Sequence, residues 1–213
     1  MTTLLLRLQA PMQSWGISSL FTERDTVREP SKSGVIGIIC AALGRPKDAD
    51  LSDLAALRMG VRVDREGSLE KDFQTARDVY AASGKKTVDS VISNRYYLAD
   101  AAFLVGLEGP RELLALVQIA LQQPKWALYL GRKAFPPAFP VALADGLREQ
   151  PLLEALRDYP PLVENKPPFY RIVLENEAGE FIRQDVPINF AQRTFDTRQI
   201  SIFYIPQPVQ EGG

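Results

Sequence analysis

Residues 30–44 read PSKSGVIGIICAALG, and how this stretch folds decides the architecture. Val35, Ile36, Ile38, Ile39, Ala42 and Leu43 occupy nearly every side of a helix, so the segment is expected to be a buried helix. Ser31 or Ser33 can cap its start by accepting a backbone N–H, and Gly44 can end it in a left-handed turn. PSKSG lacks the G-x-x-x-x-G-K-[ST] spacing that wraps nucleotide phosphates, which argues against a P-loop. Unpaired N–H groups at a helix start, two hydroxyls and Lys32 still suit one anionic oxygen, so simple capping and phosphate contact both stay open.

Working outward, Thr3 to Gln9 alternates Leu4, Leu6 and Leu8 with Leu5, Arg7 and Gln9, the pattern of a strand with one buried face that Pro11 ends. After a helical turn over Leu51–Leu57, MGVRVDRE reads as a second strand. Residues 71–98, KDFQTARDVYAASGKKTVDSVISNRYYL, are too irregular to build a core and read as a long projecting hairpin. DAAFLVGLE is a third strand, and Gly109 and Pro110 open a helix with apolar residues at 113, 116, 117, 120 and 121. A strand at Trp126–Leu130 would complete β-α-β-β-α-β, the ferredoxin-like pattern.

The expected class is therefore α+β: a ferredoxin-like domain of modified RNA-recognition type over 1–135, with the hairpin at about 71–98 inserted into it. A smaller strand-rich region follows over 136–213. There AFPPAFP and NKPPF are connectors, Leu152–Tyr159 is a short helix, and strands are expected at Tyr170–Glu175, Glu180–Val186 and Gln199–Ile205.

The chain has 213 residues, 46% of them hydrophobic, enough for a real core. Cys40 is the single cysteine and histidine is absent, which removes disulfides, cysteine–histidine zinc sites and histidine acid–base chemistry. No catalytic residue, metal ligand or cofactor site is marked. The N-terminal apolar run is interrupted by Arg7 and Pro11, unlike a signal peptide, and no membrane-spanning window occurs, so a cytoplasmic protein without a membrane partner is expected.

With 25 basic and 26 acidic residues, no global field draws the chain to nucleic acid, but the charges are sorted locally. No acid lies between Glu112 and Asp145, where LGRKAFPP combines Gly131 with Arg132 and Lys133; a sugar-phosphate contact and a solvated turn both fit. In QAPMQSWG, Gln13, Ser14 and Trp15 follow the first strand, and the indole can stack on a base or pack into the core. The hairpin interleaves Arg77, Lys85, Lys86, Asn94 and Arg95 with Tyr80, Tyr96 and Tyr97, diluted by Asp72, Asp78 and Asp89, so RNA or a protein can be its contact. The second sheet face, read as Leu5, Arg7, Gln9, Gly60 and Arg62, lacks aromatics, so any RNA must use loops and helix ends. Arg193 and Arg198 in QRTFDTRQ fit an RNA contact, a protein contact or a solvated hairpin.

LLLRLQAPMQSWG, PSKSGVIGIICAALG, RYYLADAAFLVGLEG and KWALYLGRKAFPPAFPV, in this order and spacing, resemble the CasD family of type I-E CRISPR Cascade subunits over essentially the whole chain. The resemblance implies a thumb hairpin on a ferredoxin-like domain and a role in antiviral defence. In that role the subunit holds the 5′ handle of CRISPR RNA, caps a backbone of CasC subunits, lies beside CasA and meets target DNA only through the complex. It makes Gln13, Ser14, Trp15, Ser31, Lys32, Ser33, Arg132 and Lys133 the expected RNA contacts, followed by Arg24, Arg28 and the thumb residues Arg77, Lys85, Lys86, Asn94 and Arg95. The competing expectation is a metal-independent endoribonuclease for precursor CRISPR RNA, as in a sister subtype, which without histidine would need a tyrosine–lysine pair.

Overall fold

The computed structural model describes residues 1–17, 22–80, 87–165 and 167–207. In chain order its elements are β1 (Thr2–Gln9), β2 (Met12–Gln13), β3 (Glu23–Arg24), α1 (Lys32–Leu43), α2 (Ser52–Ala55), β4 (Arg58–Arg65), β5 (Ser68–Tyr80), β6 (Thr87–Ala99), β7 (Ala102–Gly109), α3 (Arg111–Gln122), β8 (Ala142–Arg148), α4 (Leu152–Asp158), β9 (Phe169–Glu175), β10 (Phe181–Asn189) and β11 (Thr194–Pro206). Seven strands form one sheet in the order β10-β11-β9-β4-β7-β1-β8, antiparallel at every pairing. Helices are few and the chain is strand-rich, a mixed α/β architecture.

The buried helix expected at 30–44 is α1. The Ser31 hydroxyl accepts the Gly34 N–H, and Gly44 closes the helix at φ +73°. Val35, Ile36 and Ile39 pack with Leu4, Leu6 and Leu8 of β1 and with Leu114, Val117 and Leu121 of α3 in one cluster. On α3 the buried stripe is thus 114, 117 and 121; Leu116 is exposed, against the expected face.

Both faces of β1 are buried, which corrects the reading of a one-faced strand. On the far side, Leu152, Ala155 and Leu156 of α4 lie on Leu5, Leu104, Ile172 and Leu174. Gly60 and Gly106 make room for this helix: a Cβ at either would lie 2.8 Å from a Leu156 methyl or 2.6 Å from a Leu152 methyl respectively. The second sheet face is therefore covered rather than open.

Arg62 fastens the cover. Its guanidinium is wholly buried, bonds both oxygens of Asp64 at 2.7 and 2.9 Å, and donates to the carbonyls of Leu156, Tyr159 and Pro160 at the end of α4. Asp64 in turn accepts the Leu162 N–H at 2.6 Å. Every donor on this side chain has a role in holding the chain that leaves α4.

The expected strand at Trp126–Leu130 does not form. Lys125 and Trp126 instead donate their N–H groups to Ala42 and Ala41, the open carbonyls at the end of α1, so the segment follows the helix rather than a strand. The place it would have taken beside β1 belongs to β8, seven residues beyond the expected boundary at 135. β8 pairs with β1 and β9 with β4, so strands beyond residue 136 join the same sheet as β1, β4 and β7.

β5 and β6 pair antiparallel from Ser68/Ala99 to Tyr80/Thr87, and β5 is exposed almost throughout. The base of β6 is flanked on its other edge by β2 and β3, which ties this long pair to the loops around α1. Lys85 and Lys86 lie outside the described residues. Among the described residues no helix is long and apolar enough to cross a membrane.

Replacing Arg62 by Ala leaves Asp64 buried without its partner, and urea unfolding is expected to show a loss of about 3–5 kcal/mol.

Candidate nucleic-acid interface

Four chain segments meet around one cleft of about 650 Å³. Ser14 and Trp15 arrive after β2, Arg24 and Asp25 at the end of β3, Ser31, Ser33 and Gly34 at the start of α1, and Gly131 and Arg132 in the loop after α3. The β10–β11 turn adds Phe190, Arg193 and Phe195.

Backbone bonds hold the segments together. Ser14 donates its N–H to the Leu130 carbonyl at 3.1 Å, and its hydroxyl to Tyr96 and Asp25 carbonyls at 3.3 and 3.4 Å. Arg132 donates through Nη2 to the Tyr96 carbonyl at 2.8 Å and the Arg24 carbonyl at 3.2 Å, so it braces the cleft against the base of β6. Gly131 sits at φ +91°, and a Cβ there would collide with the Ser14 carbonyl oxygen; only glycine permits this approach.

The cleft is short of negative charge. Burial first, then repulsion from Arg95 and Arg24, lowers the Arg132 guanidinium from its ordinary value, with Asp72 and Asp25 opposing. An anion bound here would relieve that repulsion. A guanidinium keeps its charge at any physiological pH and offers a planar fork of donors to phosphate.

Several residues expected at an RNA surface are buried and engaged within the fold. Gln13 is fully buried and donates its amide to the Ala101 carbonyl at 2.8 Å. Trp15 is 1% exposed, its ring packed against Gly34, so it does not present a stacking face. Lys32 is 1% exposed and bonds Glu175 at 2.9 and 3.0 Å; its ammonium points into the protein and its pKa is lowered by burial, with Glu175 opposing. The Lys32 N–H donates to Asp185 at 2.8 Å, which puts a carboxylate at the start of α1 where a phosphate was expected. Arg198 clamps the same Asp185 at 2.7 and 3.0 Å and reaches Glu175 at 3.3 Å, completing a buried four-residue cluster; it is neither a solvated nor a ligand-facing residue.

The remaining expected residues are spread. Ser31 is buried with its hydroxyl on the Gly34 N–H, and with Ser33, Arg24 and Arg132 it lines the cleft. Lys133 and Arg28 are exposed but do not line it, and Arg77 is exposed on β5. Asn94 donates to Glu23 at 2.7 Å, and Arg95 to Ser93 at 3.1 Å. Phe190 and Phe195 went unread in the sequence; their signal is an arginine between two aromatics in the turn NFAQRTF.

A family model described as CRISPR-associated protein (Cas_Cas5) matches residues 3–201. The chain belongs to that family. It is 33% identical over 177 residues to the CRISPR system Cascade subunit CasD of Escherichia coli (strain K12), covering 75% of this chain and 77% of the relative. A solved structure described as a Cas protein superposes with a TM-score of 0.81 at 46% identity, over 96% of this chain and 95% of that one. A chain of a CRISPR RNA-guided surveillance complex does so with a TM-score of 0.81 at 34% identity, over 97% and 91%.

Because Lys32 serves the buried cluster, Lys32→Met is expected to lower unfolding free energy by about 3 kcal/mol in a urea titration. RNA retention per folded molecule should stay within twofold of the unaltered protein in a filter-binding assay.

Proposed function

We propose that this chain is a non-catalytic subunit of the type I-E CRISPR antiviral surveillance complex. In this reading it binds the 5′ handle of mature CRISPR RNA, caps the CasC backbone and lies beside CasA in the cytoplasm, meeting target DNA only through the assembled ribonucleoprotein. The convergence of Ser14, Arg24, Ser33, Arg132 and Arg193 on one cleft, in a chain of this family, carries the reading. Arginines and hydroxyls along a groove suit a sugar-phosphate chain, which they position through its phosphates.

The finer fold reading belongs here as well. We infer a ferredoxin-like core of β1, α1, β4, β7, α3 and β8, supported by the internal strand order β4-β7-β1-β8. The β5–β6 pair, inserted between the second and third core strands, fits the thumb. With α4 covering the second sheet face, the loops beside β6 and the start of α1 are the surface left for RNA.

The endoribonuclease reading needs an acid and a base. The cations of the cleft are arginines, which do not exchange protons near neutral pH. Tyr159, pushed up to about 12 by burial and then by its bond to Asp145, is not among the residues lining the cleft. Tyr129 and Lys47 share the neighbouring pocket and are the pair on which cleavage would rest.

The test uses repeat-derived RNA and a scrambled control with the purified chain, alone and assembled with CasC, scoring retention and cleavage together. Handle-dependent retention without cleavage is expected. Replacing Arg24 and Arg132 by Ala should reduce the slope of log affinity against log salt by about 0.7 for each phosphate that is no longer neutralised. Cleavage abolished by Tyr129→Phe would instead establish the nuclease.

A further inference from the structure

We propose that the pocket next to the arginine cleft is a stacking site for one unpaired base of the bound RNA. The inference rests on the RNA-binding reading above and names what a second, chemically different cavity contributes to it. That pocket, about 530 Å³, lies within the range of roughly 300–1,000 Å³ usual for small-ligand sites. Trp126, Tyr129, Phe190, Phe195, Ile17 and Ile38 form its apolar wall.

Trp126 is 47% and Tyr129 36% exposed, so both rings are open to a ligand in the pocket they line. They are not loosely held. The N–H groups of Lys125 and Trp126 bond the Ala42 and Ala41 carbonyls at 2.9 and 3.1 Å, so the end of α1 fixes the backbone that presents the Trp126 ring. Across the pocket, Phe190 and Phe195 meet edge to face at 6.4 Å, and Ala191 donates to the Lys47 carbonyl at 3.0 Å, which seats the β10–β11 turn. Gly37 faces Phe190 with no side chain of its own, leaving depth beneath the rings.

Charge selects the occupant. Among the described residues, those lining the pocket include Arg45, Lys47 and Arg193 and no Asp or Glu. Arg45 is engaged by Asp53 at 2.5 and 2.6 Å, while Lys47 and Arg193 are exposed. An apolar, aromatic cavity rimmed by cations is matched by a nucleotide, whose flat base is apolar on its faces and whose phosphates are anionic. Gln184 adds a side-chain amide for a base edge.

Continuity decides between a base and an unrelated apolar group. The pocket and the cleft share Ser33, Gly34, Gly131, Phe190, Arg193 and Phe195, so they are two halves of one groove. A strand whose phosphates lie along Arg24, Arg132 and Arg193 passes the mouth of the pocket, and one base turned inward meets Trp126 and Tyr129. Trp15, which the sequence left open between a base and the core, is sealed in the core, whereas Trp126 and Tyr129 are exposed.

The experiment is an abasic scan. Repeat-derived RNAs, each lacking one base of the handle but keeping every phosphate, are titrated against the full chain and against Trp126→Ala/Tyr129→Ala, with Arg132→Ala as a control on the cleft. One abasic position is expected to weaken binding about tenfold in the unaltered protein and to make little further difference in the double variant. Binding of intact RNA should also quench tryptophan fluorescence, and Trp126→Phe should remove that quench, an effect that a folding defect would not imitate. Both rings are exposed, and circular dichroism checks that the variants fold.

If Arg132→Ala weakens binding but every abasic RNA binds like the intact one, the cleft reading stands and the base pocket is overturned. If the double variant impairs assembly with CasC or CasA at unchanged RNA affinity, the pocket is a protein-docking surface and the proposal is overturned. If neither handle sequence nor Arg132→Ala matters, the RNA reading fails and takes this inference with it.

Discussion

The ammonium of Lys32, buried and bonded to Glu175 while its own N–H holds Asp185, joins the first helix to the last three strands. Arg198 closes the ring by clamping both carboxylates. Lys32, Asp185 and Arg198 are buried and Glu175 is half-buried, and such charges are tolerable only when each is satisfied by the others, so the cluster demands one relative placement of α1, β9, β10 and β11. That placement sets the β10–β11 turn, with Phe190, Arg193 and Phe195, over the exposed flank of α1. Without it the cleft would lack one wall.

A second buried pair has the complementary effect on the opposite face. Arg62 and Asp64 tether the chain leaving α4, and α4 covers the surface that an RNA-recognition sheet would leave open. Gly60 and Gly106 let that helix lie close to the strands. The covered face and the assembled cleft are thus two outcomes of one design: ion pairs on both sides lock the sheet between layers, and the cleft is left to the loops.

At that edge, charge and shape divide the work. Arg132 is braced against the base of β6 and crowded by Arg24 and Arg95, a concentration of positive charge suited to phosphates. The adjoining pocket is aromatic and lacks acids among its described lining residues, suited to a base. The β5–β6 pair rises from the same place, because Ser14, Arg132 and Asn94 all engage its base or the loops beside it.

Local pattern alone was sufficient for β1, α1, β4, the β5–β6 hairpin, β7, α3, α4 and the last three strands, because periodicity, caps and breakers act within a few residues. It also marked QSWG, SKSG and GR as candidate RNA contacts, and the fold brings these segments together. It misjudged Trp126–Leu130, whose alternation imitates a strand; the open carbonyls of α1, remote in sequence, captured its N–H groups. It left Trp15 open between core and base, and Lys32 open to a phosphate, because a cation or an indole carries no sign of its burial until Glu175 and Gly34 arrive from elsewhere in the fold. What the sequence determined, then, was the elements and the family; only the tertiary structure decided which side chains face outward. Burial and ion pairing depend on partners more than a hundred residues apart, as Lys32 and Glu175 are, and no local pattern encodes such a partner.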